Sequence, residues 1–303
     1  MAGVITTGNH PKALWPGVHA WFGAKYDEHP DETVQIFDKM TSDMSYEEMV
    51  QSYGFGLAPI KTQGSSAVYD SHSQGFVARF THVAYSLGYI VTREELADNK
   101  YGPTSMDRAG ALAFSMTQTR QNVGANVLNR GFNSSYLGGD AKELFATDHP
   151  LALGGTFSNE MNPSADFSEA SLEDLCIQIM DVVNPRGLKV SIMPKRLIVP
   201  TSLSFEAERV LKSTLQNDSA NNAINALRSK SVIPEYVVNH YLTDTDAFFI
   251  KTNAPKGLTW FDREQVEFKQ DTDFDSDNAK AKAYMRFVAY WADPRGAFAS
   301  QGA

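Results

Sequence analysis

The chain has 303 residues, 42% of them hydrophobic and 21% charged, which is enough apolar content for a real core and too much for a largely disordered chain. Lys plus Arg is 27 against 36 Asp plus Glu, a net charge of −9, so adhesion to DNA or to anionic membrane through bulk charge is excluded. The single cysteine, Cys176, excludes an intramolecular disulfide and a Cys-cluster zinc site, and no apolar run reaches the roughly 18 residues of a membrane span.

In chain order, the first ten residues lack the basic and apolar regions of a secretory signal. Trp15, Trp21, Phe22 and Tyr26 then lie among Pro11, Pro16, Pro30, Gly8, Gly17 and Gly23. Prolines and glycines this dense argue against a long helix, while the aromatics demand burial. Two readings stay open: an arm folded over its own core, or an arm packed on a neighbouring subunit. A helix is expected over about 31–51. Residues 53–92 read as extended. In 75–91, Val77, Thr81, Val83, Tyr85, Leu87, Tyr89 and Val91 share one face, with Arg79 as the exception. A partner strand over 60–69 and a polar turn at 70–75 complete a long hairpin, which is marginal alone and must pack on something.

The strongest helix signal runs over about 104–130, opened by Thr104-Ser105-Met106-Asp107 and closed by Gly131. Its stripe of Ala109, Leu112, Ala113, Met116, Val123 and Val127 is narrow and suits a helix lying across a sheet. The Gly-, Asn-, Ser- and Pro-rich stretch 133–165 is long for a loop and is therefore functional or pinned by contacts. A second helix is expected over 168–183, strands over 189–192 and 196–199, and a third helix over 204–215. A polar loop follows over 216–225, then strands over 235–241, 247–251, 265–269 and 282–291. Strands and helices do not alternate strictly, so the class is α+β and not a doubly wound sheet.

Chemistry-bearing patterns are weak. Asp271, Asp273, Asp275 and Asp277 match the first half of a calcium loop, but its glycine position is Ser276 and its closing glutamate position is Lys282. His149, beside Asp148, lacks a second ligand at metal spacing and reads as a hydrogen-bonded loop histidine. Cys176 lies on an apolar helix face and reads as core. Lys61 on the hairpin is a candidate reactive amine. No nucleophile elbow, P-loop or dinucleotide fingerprint occurs. No catalytic residue, cofactor or metal ligand is assigned, and the chain is read as a non-enzyme.

Several strings carry a resemblance in their order and spacing: Tyr53-Gly54-Phe55-Gly56, Tyr85 to Thr92, Glu94 to Gly102, Ala125 to Phe132, Leu144 to Pro150, Pro194 to Pro200, Leu242 to Phe249 and Trp291 to Gly296. From about residue 45 to its end the chain resembles the major capsid proteins of tailed bacteriophages, which have the Hong Kong 97 fold, with the Mu-like head subunits as the suggested group. One departure is Gly139-Asp140-Ala141, where relatives often have Asp-Gly, and the turn there is expected to be relaxed.

The resemblance implies an N-terminal arm (1–52), an extended hairpin or E-loop (53–92), a peripheral domain with a spine helix (93–190 and 262–303) and an axial domain (191–261). It implies a subunit that forms pentamers, hexamers and an icosahedral head enclosing double-stranded DNA without sequence-specific binding, and with no membrane. Assembly in the bacterial cytoplasm, a separate scaffolding protein, a portal and decoration proteins are the implied context. Trp15, Trp21 and Phe22 are expected to anchor the arm, Lys61 and Arg79 to make contacts from the hairpin. Some relatives crosslink by a Lys–Asn isopeptide bond; Lys61 is suggestively placed, but no partner is assigned. Deletion of residues 1–30 is expected to leave a folded subunit that builds no shell. The alternatives are a cargo-enclosing nanocompartment shell of the same fold and, from another class, a metal hydrolase using Asp271, Asp273, Asp275 and His149.

Overall fold

The computed structural model describes residues 15–97, 101–152, 154–216, 223–273 and 278–303. Its first element is helix α1, Trp15–Asp27, followed by the short α2, Thr33–Ile36, and strands β1, Asp38–Thr41, and β2, Tyr46–Tyr53. The helix expected over 31–51 is therefore a single turn and two strands. Nor do the prolines forbid α1: Pro16 stands in its first turn, where a missing N–H costs nothing.

Strands β3, Ser73–Thr81, and β4, Val83–Val91, replace the single strand expected over 75–91. They belong to different sheets. β3 pairs antiparallel with β2, from Tyr46 opposite Thr81 to Tyr53 opposite Ser73. The segment 54–72 between them is a loop, so no strand forms at 60–69. The inward face of β3 carries Ala78 and Phe80, while Val77 is exposed, so the expected phase is inverted there. The short α3, Arg93–Ala97, leads into α4, Tyr101–Asn129, whose 29 residues make a rod of about 43 Å. Its small buried residues Ala109, Ala113, Gly124 and Ala125 let it lie close across a sheet of order β1-β10-β11-β4. In that sheet β10 is Leu258–Thr272 and β11 is Ala279–Trp291, longer than the tail strands expected from sequence.

A second sheet has the order β12-β9-β7-β8, with β7 at Pro194–Pro200, β8 at Glu235–Asn239, β9 at Phe248–Thr252 and β12 at Ala297–Ser300. Every residue of β9 and β12 is buried, as in a sheet covered on both faces. Phe249 and Ile198 on one face join the core of α1, α4 and the first sheet. Phe248, Ile250, Leu197 and Val199 on the other join a core with α5, Glu169–Met180, and α6, Ser204–Lys212. Helix α5 thus packs against the second sheet, as does Phe298 of β12. The 189–192 stretch forms only a bridge, Val183 with Lys189. Most of the expected polar loop 216–225 lies outside the described residues.

The described part of the arm, from Trp15 onward, is folded over its own core. Phe22 is buried and stacks on Phe268 of β10, ring centres 4.6 Å apart, and Val18 is buried beside it. Deleting residues 1–30 therefore strips part of the core and does not test assembly alone, a correction to the expected behaviour of that deletion.

The long 133–165 stretch is pinned by Asn159, which is fully buried. Its Nδ2 donates to the carbonyls of Leu144 (2.7 Å), Pro294 (2.9 Å) and Ala297 (3.1 Å), and its Oδ1 accepts from the Ala146 amide at 3.0 Å. Asn159→Ala takes this shared partner from all these buried groups, although the Pro294 carbonyl keeps its bond from the Ala297 amide, so a loss of about 3 kcal/mol is expected in denaturant unfolding. A loss below 1 kcal/mol contradicts that role. In the same stretch the turn at 138–142 is tight, not relaxed: the Gly138 amide donates to the Lys142 carbonyl at 2.7 Å, and Ala141 has φ +60°. Ala141→Gly removes a left-handed alanine and is expected to stabilise by about 0.5–1 kcal/mol, read as a raised unfolding midpoint.

Candidate assembly surface

The β2–β3 ribbon stands on the face of the first sheet opposite α4. Strand alternation turns Trp260 and Asp262 toward the helix and Phe261 away from it. Ala78 and Phe80 close a small core there with Phe261, packed by Met49, Val288 and Tyr290. This patch is the ribbon's only extensive apolar seat among the described residues, and it supports a hairpin that is too thin to be stable alone.

From the ribbon's end hangs the loop 54–72. Leu57 is 81% exposed, Ile60 96% and Tyr69 92%, with Phe55 and Val68 also in the open. Five large apolar side chains in 19 residues, all facing water, form a surface that single exposed residues do not. The loop's root is nonetheless ordered. Arg186, in the turn after α5, donates to Asp70 Oδ2 and to the Gly54 carbonyl, both at 2.8 Å. The Gly56 amide donates to the same Asp70 oxygen at 2.7 Å. These bonds, the Gly56 amide foremost and the Arg186 guanidinium next, hold the Asp70 carboxyl down to about 2. Because the folded value lies below the ordinary 3.8, the root is intact above pH 4 and weakens as pH falls from there toward 2. Hydrogen-exchange protection of the Gly56 amide is expected to hold from pH 7 to pH 4 and to vanish in Arg186→Ala plus Asp70→Ala; unchanged protection in the double variant contradicts the latch.

The sequence-expected residues fall in two places. Lys61 lies in the exposed loop. Arg79 lies on the outer face of β3, with its guanidinium 3.8 Å from the centre of the Tyr46 ring and its Nε 3.7 Å from Glu48. Trp21 and Phe22 lie on α1, on the α4 side of the sheet. Trp21 is half-exposed along α4, near Gly110, whereas Phe22 is core and offers nothing to a neighbour. The Trp15 side chain lies outside the described residues. Sequence reasoning missed Arg186 and Asp70, which are 116 positions apart and meet only through the fold.

The groups weighed for chemistry are otherwise engaged. His149 is buried, with Nδ1 2.6 Å from Asp140 and Nε2 3.1 Å from Asn159 Oδ1, so it braces the pinned loop. Asp273 pairs with Lys280 at 3.0 Å, and Asp275 and Asp277 lie outside the described residues. Among the described residues no three His, Cys, Asp or Glu side chains gather as metal ligands. Burial pushes the Cys176 thiol up to about 12, which makes it an inert core residue. Among the described residues no helix is long and apolar enough to cross a membrane.

Comparison with known proteins agrees with this arrangement. A family model described as phage capsid protein matches residues 78–300. Among solved structures, the virus-like particle from Pyrococcus furiosus aligns at TM-score 0.53 and 11% identity, covering 94% of this chain and 98% of that chain. Mycobacterium phage Patience aligns at 0.53 and 9%, covering 99% and 89%. The capsid of bacteriophage JBD30, decorated with minor capsid protein trimers, aligns at 0.54 and 15%, covering 71% and 92%. No curated protein matches by sequence. At such identities the structural likeness establishes the fold, and the family model, spanning more than two thirds of the chain, establishes the lineage. The chain belongs to the phage capsid protein family: it is a structural protein of the virion, not an enzyme, and has the Hong Kong 97 fold.

Proposed function

We propose that this chain is the major capsid subunit, which assembles with copies of itself into pentamers and hexamers and then an icosahedral head around double-stranded DNA. The carrying observation is the loop 54–72, whose five large apolar side chains are left mostly exposed by their own chain. Burial of each is favourable by about 1.5–3 kcal/mol, a driving force that only another molecule can realise. In this reading the hairpin lies over a neighbouring subunit, with Lys61 and Arg79 at the contact rim and Trp21 at a second contact. The sheet of β7, β8, β9 and β12 with its helices serves as the axial part, and α4 with the first sheet as the peripheral part. Exposed Phe205 and Ile224 supply apolar surface to the axial contacts. The net charge of −9 keeps the shell from binding its genome tightly. A scaffolding protein, a portal and decoration proteins are the partners expected for this role.

Light scattering after size-exclusion chromatography, followed by electron microscopy, tests the reading. Rings or megadalton shells are expected. A chain that stays monomeric at every concentration and builds neither overturns it. The likeness to the Pyrococcus furiosus particle supports a second reading, a nanocompartment shell. Nuclease-protected DNA inside particles favours the head, and a packaged enzyme favours the compartment.

A further inference from the structure

The chain leaves the ribbon and enters the first sheet at one residue, His82, between the last residue of β3 and the first of β4. Its backbone amide is held by the Ser45 carbonyl at 3.3 Å, but its imidazole has no exposed surface and neither ring nitrogen has a hydrogen-bond partner. A buried, unpartnered imidazole is tolerated as the neutral form and strongly resisted as the cation. The charged groups around it come from three elements. Glu47 of β2 approaches to 3.9 Å, and its carboxylate is already engaged by Ser42. Arg286 of β11 and Arg263 of β10 present positive charge, and Glu264 of β10 lies between them at 4.0 and 3.9 Å. Arg263 Nη1 is itself buried without a partner. A proton added to His82 therefore enters a buried site where Arg286 and Arg263 repel it and the one near carboxylate, Glu47, is already engaged, at the point where the ribbon is seated.

We propose that His82 is an acid-sensitive joint: protonating its imidazole loosens the ribbon's seat on the first sheet and frees the hairpin, with its loop 54–72, to change angle. Burial, more than Glu47 can offset, sets the closed-state imidazole below its ordinary value of 6.5, and Arg286 and Arg263 add to this. The sign follows from linkage. The closed joint is at full strength above the ordinary value and weakens as pH falls below it, by up to tenfold in the opening equilibrium per pH unit, until the closed-state value is reached. The inference rests on the joint alone, not on the proposed shell role.

Hydrogen exchange on the full-length unassembled chain, corrected for the intrinsic pH dependence of exchange, reads it directly. Between pH 8 and 5, protection of β2 and β3 amides is expected to fall by up to tenfold per unit below about 6.5, while α4 amides stay level. His82→Gln and His82→Phe should abolish the slope, and His72→Gln, which alters an exposed histidine of the loop, should keep it. A level profile for β2 and β3, a slope shared by α4, or a slope that survives both His82 variants overturns the proposal. Should neither variant fold, the nuclear magnetic resonance titration of the native His82 ring decides: a midpoint at or above 6.5 overturns the proposal and one clearly below supports it.

Discussion

Arg120→Ala is expected to destabilise the isolated subunit by about 3–5 kcal/mol, the range for removing one partner of a buried ion pair. Arg120 projects from the middle of α4 and donates to Asp262 Oδ2 at 2.8 Å, with both side chains only 8% exposed. Asp262 also accepts from Trp260 Nε1 at 2.8 Å, and the guanidinium lies 4.7 Å from the centre of that indole. On its other side Arg120 Nε is 3.5 Å from Asp31, which bonds to Lys39. Burial raises the Asp31 carboxyl, but the bonds from Lys39 and Thr33 outweigh it and hold it below its ordinary value. One cation thus ties the arm, α1 to β1, to the spine helix and to the central strand of the first sheet. Its loss leaves Asp262 as an unpaired buried charge. Replacing both partners, Arg120→Leu with Asp262→Leu, should cost less than either single change, with a residue of about 1–3 kcal/mol for the stranded Trp260 N–H. Denaturant unfolding of the four chains gives the coupling directly. Single variants that each lose under 1 kcal/mol would falsify the assignment of this cluster as the fold's central tie.

What the sequence makes legible follows from how local each cause is. Helix α4 is written in i, i+3, i+4 spacing, and α5 begins at a capping box, with the Ser168 side chain accepting from the Ser171 amide. The β10–β11 pair is antiparallel and its two strands lie close together in the sequence, so it too is visible. The errors are non-local. Residues 31–51 look helical because nothing nearby shows that β1 will pair in parallel with β10, with Asp38 opposite Thr259. The alternation through 75–91 is genuine, but at His82 the chain changes sheets and the pattern changes face, which no period-2 count can register. Residues 60–69 carry strand-forming side chains with no surface of their own chain to sit on, and strand propensity is chiefly a preference for such a half-buried surface. The same fact makes the loop the most informative part of the candidate surface. Phe22 anchors the arm on its own chain, which the sequence hides for the converse reason: its partner, Phe268, lies 246 positions away on β10.

Replacing residues 54–72 by an Asn-Gly turn is expected to leave a well-folded subunit that no longer builds particles. Tyr53 and Ser73 are already directly opposed at the ribbon's end, so a two-residue turn closes the hairpin in its existing register. Shortening a 19-residue connection to two removes about 2 kcal/mol of loop-closure entropy. Against this stands the loss of the root contacts from Arg186 and Gly56 to Asp70, which are exposed and of little weight for folding. The unfolding midpoint should therefore hold or rise. Assembly should behave in the opposite way. The exposed Phe55, Leu57, Ile60, Val68 and Tyr69 gather five large apolar side chains that the fold leaves uncovered in one loop, and their removal takes away the contact that another molecule would complete. A deletion that lowers the midpoint sharply would mean that the loop supports its own chain. Normal particles built from the shortened, stable chain would mean that the shell is held together elsewhere, at α1 or at the axial helices. A stable subunit without particles, and particle yield that falls in steps as Leu57, Ile60 and Tyr69 are changed one by one to Ser, is the pattern expected of a subunit whose last piece of core lies on its neighbour.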